Sequence, residues 1–404
     1  MKQDLVTVLD LGSTKVTCLA ASPDGVDGMK IVSLATAPCR GIRRGVVSDL
    51  DDTSVAIDAC LRRVEADIRE EITSVIAGIS GGHIEGTAAQ GMKMIIPPGR
   101  AITHQDVLEV VNHSRALVLP PDREQLQALP REFRVDGQRD VRKPVGMSGR
   151  KLEVITYIVS GQTSAIQNIE KAIARTGRKI DQLILKPLAS GIGVLTPEEL
   201  ELGTVVVDIG GGTTDIAIFT NGSIAYCASI PIGTQLVTSD LSKLLRTSPE
   251  EAERLKIEGG NAMARLVSDK ESVEVSQIGQ PVPRPMQRRV LCEIIESRMR
   301  EIATMVRQQI EKSGMLATLP GGVVLTGGGA QLPGTDKLFD DVLKQLRVRV
   351  AEPDLGQRFP RQSGVATAVG LARFSIQCQD EIAPATAANW KDRVRGMLGI
   401  RGTG

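Results

Sequence analysis

The chain is 404 residues long, with 49 basic and 48 acidic side chains, 41% apolar residues and only 2% aromatic ones. That length implies two or more domains, whose cores must be built from Val, Ile, Leu and Ala. A net charge of +1 excludes bulk attraction to nucleic acid, and no run of about 18 apolar residues is present to span a membrane.

The N-terminus, MKQDLVTV, lacks the charged and apolar regions of a secretory signal. Cys18, Cys39, Cys60, Cys227, Cys292 and Cys378 are scattered with no C-x-x-C pair, which points to buried thiols in a reducing compartment rather than a metal site. His83, His104 and His113 are isolated and read as solvated or capping side chains.

Leu5 to Asp10 is an apolar run closed by an acid. Gly12, Ser13, Thr14 and Lys15 follow, and then a strand-like stretch, Val16 to Ala20. Ser54 to Ile68 has helical periodicity, and Ile72 to Ile79 reads as a strand ending in Ser80, Gly81 and Gly82 at a domain junction. Thr103 and Asp106 open a helix, Val107 to Leu117, stopped by Pro120 and Pro121. Short elements follow, with a turn at Asp136 and Gly137, a loop from Lys143 to Gly149, and a strand, Lys151 to Val159. This block, 83–160, reads as a small α+β insert with no catalytic constellation, either an interaction module or a structural insert.

Ala165 to Thr176 is an amphipathic helix and Ile180 to Leu185 a strand. Pro187 to Val194 is small and apolar, suited to a close helix crossing at a hinge or to plain core packing. Val205 to Asp215 (VVVDIGGGTTD) then repeats the first motif: strand, Asp208, the turn residues Gly210, Gly211, Gly212, Thr213 and Thr214, and a second strand. Glycine allows the tight turn, which gathers N–H groups and hydroxyls into a concave anion site. A carboxylate at its lip suits Mg²⁺ or its water shell. Lys15 adds a point charge for the β- and γ-phosphates. Two copies about two hundred residues apart indicate a duplicated domain with a ligand between the halves.

Asn221 and Gly222 mark a hairpin. Residues 234–313 read as mostly helical. Ser248, Pro249 and Glu251 supply an N-cap, a first-turn proline and a capping-box acid for a helix that stops at Gly259 and Gly260. Glu253 and Lys256 share a face there, as brackets for a ribose or adenine or as an exposed ion pair. A second helix covers Met286 to Lys312. Arg284, Arg288, Arg289, Arg298 and Arg300 make this region locally basic, suited to an acidic peptide or simply to solvent. Val323 to Leu325 leads into Gly327, Gly328 and Gly329, where a flat base can approach the backbone. Asp336 to Leu346 reads as a helix, Arg347 to Val350 as a strand, and Ser363 to Phe374 as a small-residue partner for Pro187 to Val194.

From Cys378 to Ala388 the composition is that of a linker. Beyond it Trp390, Val394, Met397, Leu398 and Ile400 share one side of a helical wheel, flanked by Lys391, Arg393 and Arg395. Gly396 and Gly399 each weaken such a helix by ~1 kcal/mol in water. A basic amphipathic segment with the chain's only Trp suits an anionic membrane interface, where each basic residue contributes ~1 kcal/mol. Docking on its own domain is the other reading.

The order of Asp10 to Lys15, Pro187 to Ser190, Asp208 to Asp215 and Thr326 to Ala330 resembles the actin, Hsp70 and sugar-kinase superfamily. Ile79 to His83, Pro120 to Glu124, Phe133 to Gly137, Pro144 to Gly149, Thr238 to Leu241 and Glu251 to Lys256 narrow the resemblance to the bacterial cell-division FtsA family. It implies an α/β, actin-like (ribonuclease H-like) pair of ATPase domains around a nucleotide cleft. The subdomains would be 1–82 with 161–194, an insert at 83–160, 195–226 with 314–375, a helical part at 227–313, a linker at 376–388 and a membrane-targeting helix at 389–404.

The resemblance further implies ATP and Mg²⁺ in the cleft. Gly12 to Lys15 and Gly210 to Thr214 would hold phosphates, with Asp10 and Asp208 placing the metal through water. Glu253, Lys256 and Gly327 to Gly329 would surround the nucleoside. Implied partners are the C-terminal peptide of FtsZ at 227–313, further copies of the chain in protofilaments, an anionic membrane at 389–404, and later division proteins at 83–160. The implied location is the cytoplasmic face of the membrane at the division site. No residue is assigned as catalytic. Some bacterial actin relatives have a glutamate before the hinge proline, where this chain has Lys186, so weak or absent hydrolysis is expected. The alternatives are a pilus-assembly ATP-binding relative and a sugar-type kinase.

Overall fold

The computed structural model describes residues 5–25, 28–360 and 362–379. The membrane segment expected at 389–404 lies outside the described residues, as does the linker beyond Gln379. The Ala366–Gln379 helix runs into the first positions assigned to that linker.

Two five-stranded sheets share one topology. In the first, Val6–Leu11 pairs antiparallel with Lys15–Asp24, which pairs antiparallel with Gly28–Pro38. On its other side Val6–Leu11 is parallel to Ser74–Ile79, which is parallel to Lys179–Leu185. The second repeats this with Thr204–Ile209, Thr214–Thr220 and Ser223–Ile230 antiparallel, then Val323–Thr326 and Val348–Val350 parallel. The duplication expected from the acid-tipped turns therefore extends to every strand. Val6–Leu11 and Thr204–Ile209 are central and buried on both faces, which accounts for their continuous apolar runs.

Between the sheets lie two helices, Lys186–Val194 and Ala366–Gln379. Leu188, Ala189, Val369 and Ala372 join Val8 and Leu19 of one sheet to Val206 and Ala217 of the other in a single buried cluster. The expected small-residue pairing is thus present, because side chains of that size let the backbones approach.

The insert carries a four-stranded sheet in the order Glu85–Met94, Lys151–Gln162, Arg123–Val135 and Gln138–Val141, with the His104–Arg115 helix packed on it. Arg123–Val135 is one strand of 13 residues where the sequence suggests only short elements. Pro130 hides it: the proline sits opposite Thr156, where the register shifts, so its missing N–H interrupts no regular ladder. Residues 234–313 are not wholly helical either, because Ser272–Val275 and Arg284–Gln287 form a hairpin before the Arg288–Lys312 helix. Ser248 caps the Pro249–Gly259 helix as expected. The Glu251 carboxylate, however, is engaged by Arg254 (2.7 Å) and Ser276 N–H (3.2 Å) rather than closing a capping box.

Candidate functional site

Each half contributes one turn to a shared cleft. Gly12 N–H donates to Lys15 C=O (3.0 Å) and Gly210 N–H to Thr213 C=O (2.9 Å), so both turns close with the same span. Asp10 pairs across its hairpin with Thr17, and Asp208 with Asp215. The turns touch. A Cβ on Gly211 would lie 2.5 Å from Thr14 Cγ2, and one on Gly212 2.3 Å from Ser13 Oγ. Gln235 Nε2 also donates to Ser13 C=O (3.1 Å), tying the halves together. Gly327, at φ 85°, brings the third glycine run against the second turn, since a Cβ there would meet Asp208 Oδ1 at 2.2 Å.

Asp10, Gly12, Ser13, Thr14, Lys15, Asp208, Gly210, Gly211, Gly212, Thr213, Glu253, Lys256, Gly327, Gly328 and Gly329 all line one cleft of about 460 Å³, a size that holds a small ligand. Thr214 is the correction. It is fully buried and its hydroxyl donates to Ile232 C=O (2.8 Å), so it supports the hairpin rather than facing the cavity. Glu253 and Lys256 do form an ion pair (2.7 Å), and it is exposed on one side only, with the glutamate side chain 43% exposed. The lysine side chain is only 11% exposed and also meets Thr238 Oγ1 at 3.0 Å.

Sequence reasoning missed the electrostatic centre of the cleft. Lys186 lies 2.7 Å from Asp10 Oδ1 and donates to Leu11 C=O (2.6 Å). Asp10 Oδ1 is buried and accepts no well-aligned hydrogen bond, so its contact with Lys186 is an ion pair. Burial favours the neutral amine. Asp10, Asp215 and Asp208 together outweigh it and hold the lysine's pKa above its ordinary value. Asp208 Oδ2 accepts from Ser190 (2.6 Å) and Thr367 (2.9 Å), one from each interdomain helix, and burial still raises its pKa. Burial pushes Asp215 up to about 6, against the hydroxyl of Ser229 (2.5 Å) and the charge of Lys186. Asp215 also lines the cleft. Ser190, Thr367 and Asp215 lie within stretches recognised in the sequence but had no role assigned there; the fold brings them to one place.

The donor set suits a metal-bound polyphosphate: two acid tips, glycine N–H groups, hydroxyls and Lys15. Among the described residues no three His, Cys, Asp or Glu side chains form a direct metal cage. A cation here would be held through phosphate and water.

Two other expectations are corrected. His83 is neither solvated nor capping: it is 7% exposed, both ring nitrogens lack hydrogen-bond partners, and burial lowers its pKa. The basic helix is also largely neutralised. Arg288 pairs with Glu271, Arg289 with Asp269, Arg298 with Asp240, and Arg300 with Glu296.

Twin sheets, paired acid-tipped turns and two crossing helices around a cleft define an actin-like fold. The PilM-PilN type IV pilus biogenesis complex shares that fold at a TM-score of 0.62 and 16% identity, with 92% of this chain and 98% of that one covered. The family model "Cell division protein FtsA" matches residues 205–370, and "SHS2 domain inserted in FTSA" matches 81–160. Cell division protein FtsA of Neisseria meningitidis serogroup B is 38% identical, covering 94% of this chain and 92% of its own. That of Pseudomonas aeruginosa is 35% identical, covering 93% and 90%. The chain belongs to the FtsA family and has a role in cell division. The pilus likeness is one of fold alone.

Proposed function

We propose that this chain is a nucleotide-controlled division protein that takes up ATP with Mg²⁺, assembles into protofilaments on the cytoplasmic face of the membrane at the division site, and links FtsZ to that membrane. The observation that carries the reading is the contact of two matching acid-tipped glycine turns across one cleft. Gly12 to Lys15 and Gly210 to Thr213 would hold phosphates. Asp10 and Asp208 would orient metal-bound water, and Glu253, Lys256 and Gly327 to Gly329 would surround the nucleoside. ATP with Mg²⁺, when bound, would supply charge between the two turns. Lys186 has no lone pair to accept a proton while charged, so hydrolysis is weak or absent and ATP acts chiefly as an assembly ligand.

Trp390, Val394, Met397, Leu398 and Ile400, with Lys391, Arg393 and Arg395, would anchor the chain to anionic lipid, and filament formation would multiply that weak contact. FtsZ docking at 227–313 and contacts of 83–160 with neighbouring copies and later division proteins rest on family membership. The ion-paired arginines give the FtsZ assignment no independent electrostatic support. Calorimetry with ATP and magnesium, and co-sedimentation with anionic vesicles with and without residues 389–404, test the reading. Absence of ATP uptake, or vesicle binding unchanged by the deletion, overturns the corresponding part. Robust sugar phosphorylation would favour the kinase alternative instead.

A further inference from the structure

We propose that Lys186 is a resident cation of the cleft, and that this chain therefore holds a nucleoside triphosphate with little dependence on a divalent metal. The inference rests on the nucleotide reading above and concerns what balances the charge there.

Three aspartates, Asp10, Asp208 and Asp215, line the cavity that would receive a highly anionic ligand, with Glu253 as a fourth carboxylate. Like charges at close range in a partly desolvated cleft oppose binding strongly, and a metal ion is the usual remedy. Here a cation is already built in. The Lys186 ammonium is fixed 2.7 Å from Asp10 Oδ1 and tied by a 2.6 Å hydrogen bond to Leu11 C=O. Its stem has a prepared channel: a Cβ on Gly78 would lie 3.0 Å from Lys186 Cγ, so glycine at that strand position leaves the lysine room. The residue opens the Lys186–Val194 helix, whose Ser190 holds Asp208 Oδ2 at 2.6 Å. One short helix thus places the ammonium against one acid tip and a hydroxyl on the other. The side chain lines the same cavity as Lys15 and both glycine turns, so its charge faces the position a triphosphate would take.

The test is a fluorescence titration of full-length protein with a fluorescent ATP analogue, in magnesium and in excess EDTA, for wild type, Lys186→Gln and Lys186→Arg. The expected result is that EDTA weakens wild-type and Lys186→Arg binding by less than about 10-fold, yet weakens Lys186→Gln by about 100-fold, the equivalent of about 2.8 kcal/mol for the lost charge–charge contact. Wild-type binding that collapses in EDTA as steeply as that of Lys186→Gln overturns the proposal while leaving the nucleotide reading intact. No binding even with magnesium overturns both. If Lys186→Gln does not fold, the wild-type EDTA ratio alone decides: a loss above 100-fold refutes a resident cation.

Discussion

A methyl group on Gly370 would come within 1.7 Å of the carbonyl oxygen of Ala189. Reciprocally, one on Gly193 would lie 2.3 Å from the carbonyl of Ala366. The two interdomain helices therefore cross backbone to backbone, and the obstacle at each position is main chain that cannot rotate away. Both helices also hold Asp208, through Ser190 and Thr367, so the crossing fixes the acid tip as well as the core.

Gly370→Ala is accordingly expected to destabilise the protein by about 3 kcal/mol, the upper range for overpacking a tight contact. Gly82→Ala is the control: it lies at an exposed position where an added Cβ meets nothing within 4 Å. Urea denaturation of both variants checks this, and a Gly370→Ala protein as stable as the control would refute the close crossing.

Much of this arrangement was legible in the residues. The acid-tipped turns were, because aspartate, glycine and hydroxyl act through their own local backbone. The small-residue helices were, because size alone permits the crossing. What could not be read are roles set by distant partners. Lys186 looked like a substitution for an absent base until the fold brought it to Asp10, and Thr214 looked like Thr213 until its hydroxyl met Ile232. The arginines of the Arg288–Lys312 helix looked like a basic face, whereas Glu271, Asp269 and Asp240 arrive from elsewhere to pair with three of them. The Glu85–Met94 strand escaped notice for another reason: it is an edge strand with exposed Met92 and Met94, so it lacks the alternation of a half-buried strand.

Asp106 gives the insert an acid-sensitive lock. It is 1% exposed, takes a two-pronged contact from Arg100 (2.7 and 2.8 Å), and lies 2.6 Å from Lys93. Arg100, then Lys93 and Thr103, drive its pKa well below the carboxyl range despite burial. A depressed native pKa stabilises above the unfolded value of 3.8 and is lost as pH falls below it. Asp106→Asn leaves Arg100 without a carboxylate and Lys93 with Glu109 alone, and is expected to cost about 3 kcal/mol at neutral pH, with the penalty shrinking toward pH 3. Hydrogen exchange across residues 83–160 at several pH values measures it; a pH-independent penalty would count against the lock.

Asp215 has the opposite sign. Its native pKa of about 6 exceeds the unfolded 3.8, so the folded state takes up the proton first on acidification. Its stabilising contribution is complete below pH 3.8 and is lost as pH rises to about 6, a change of about 3 kcal/mol for two pKa units. Asp215→Asn cannot ionise. The variant should therefore gain on wild type between pH 4 and 7, with the gap level above that. Parallel denaturation curves at pH 4.5, 6 and 7.5 check the trend, and a constant difference would show that Asp215 titrates normally.

Adjacent threonines separate binding from support. Thr213 lines the cleft, and its C=O closes the turn by accepting from Gly210 N–H (2.9 Å). Thr214, fully buried, donates its hydroxyl to Ile232 C=O. Valine keeps the shape of threonine and removes only the hydroxyl, so each substitution isolates one hydrogen bond. Thr213→Val should weaken ATP binding about 10-fold, the effect of one hydrogen bond to a charged group, with stability within about 0.5 kcal/mol of wild type. Thr214→Val should cost about 1 kcal/mol of stability and leave affinity within about twofold. Calorimetric titration and urea denaturation on the same two preparations give both numbers. The reverse pattern, with binding lost in Thr214→Val and stability lost in Thr213→Val, would mean that the second turn presents its other face to the ligand. The phosphate contacts assigned to Gly210 through Thr213 would then have to be redrawn.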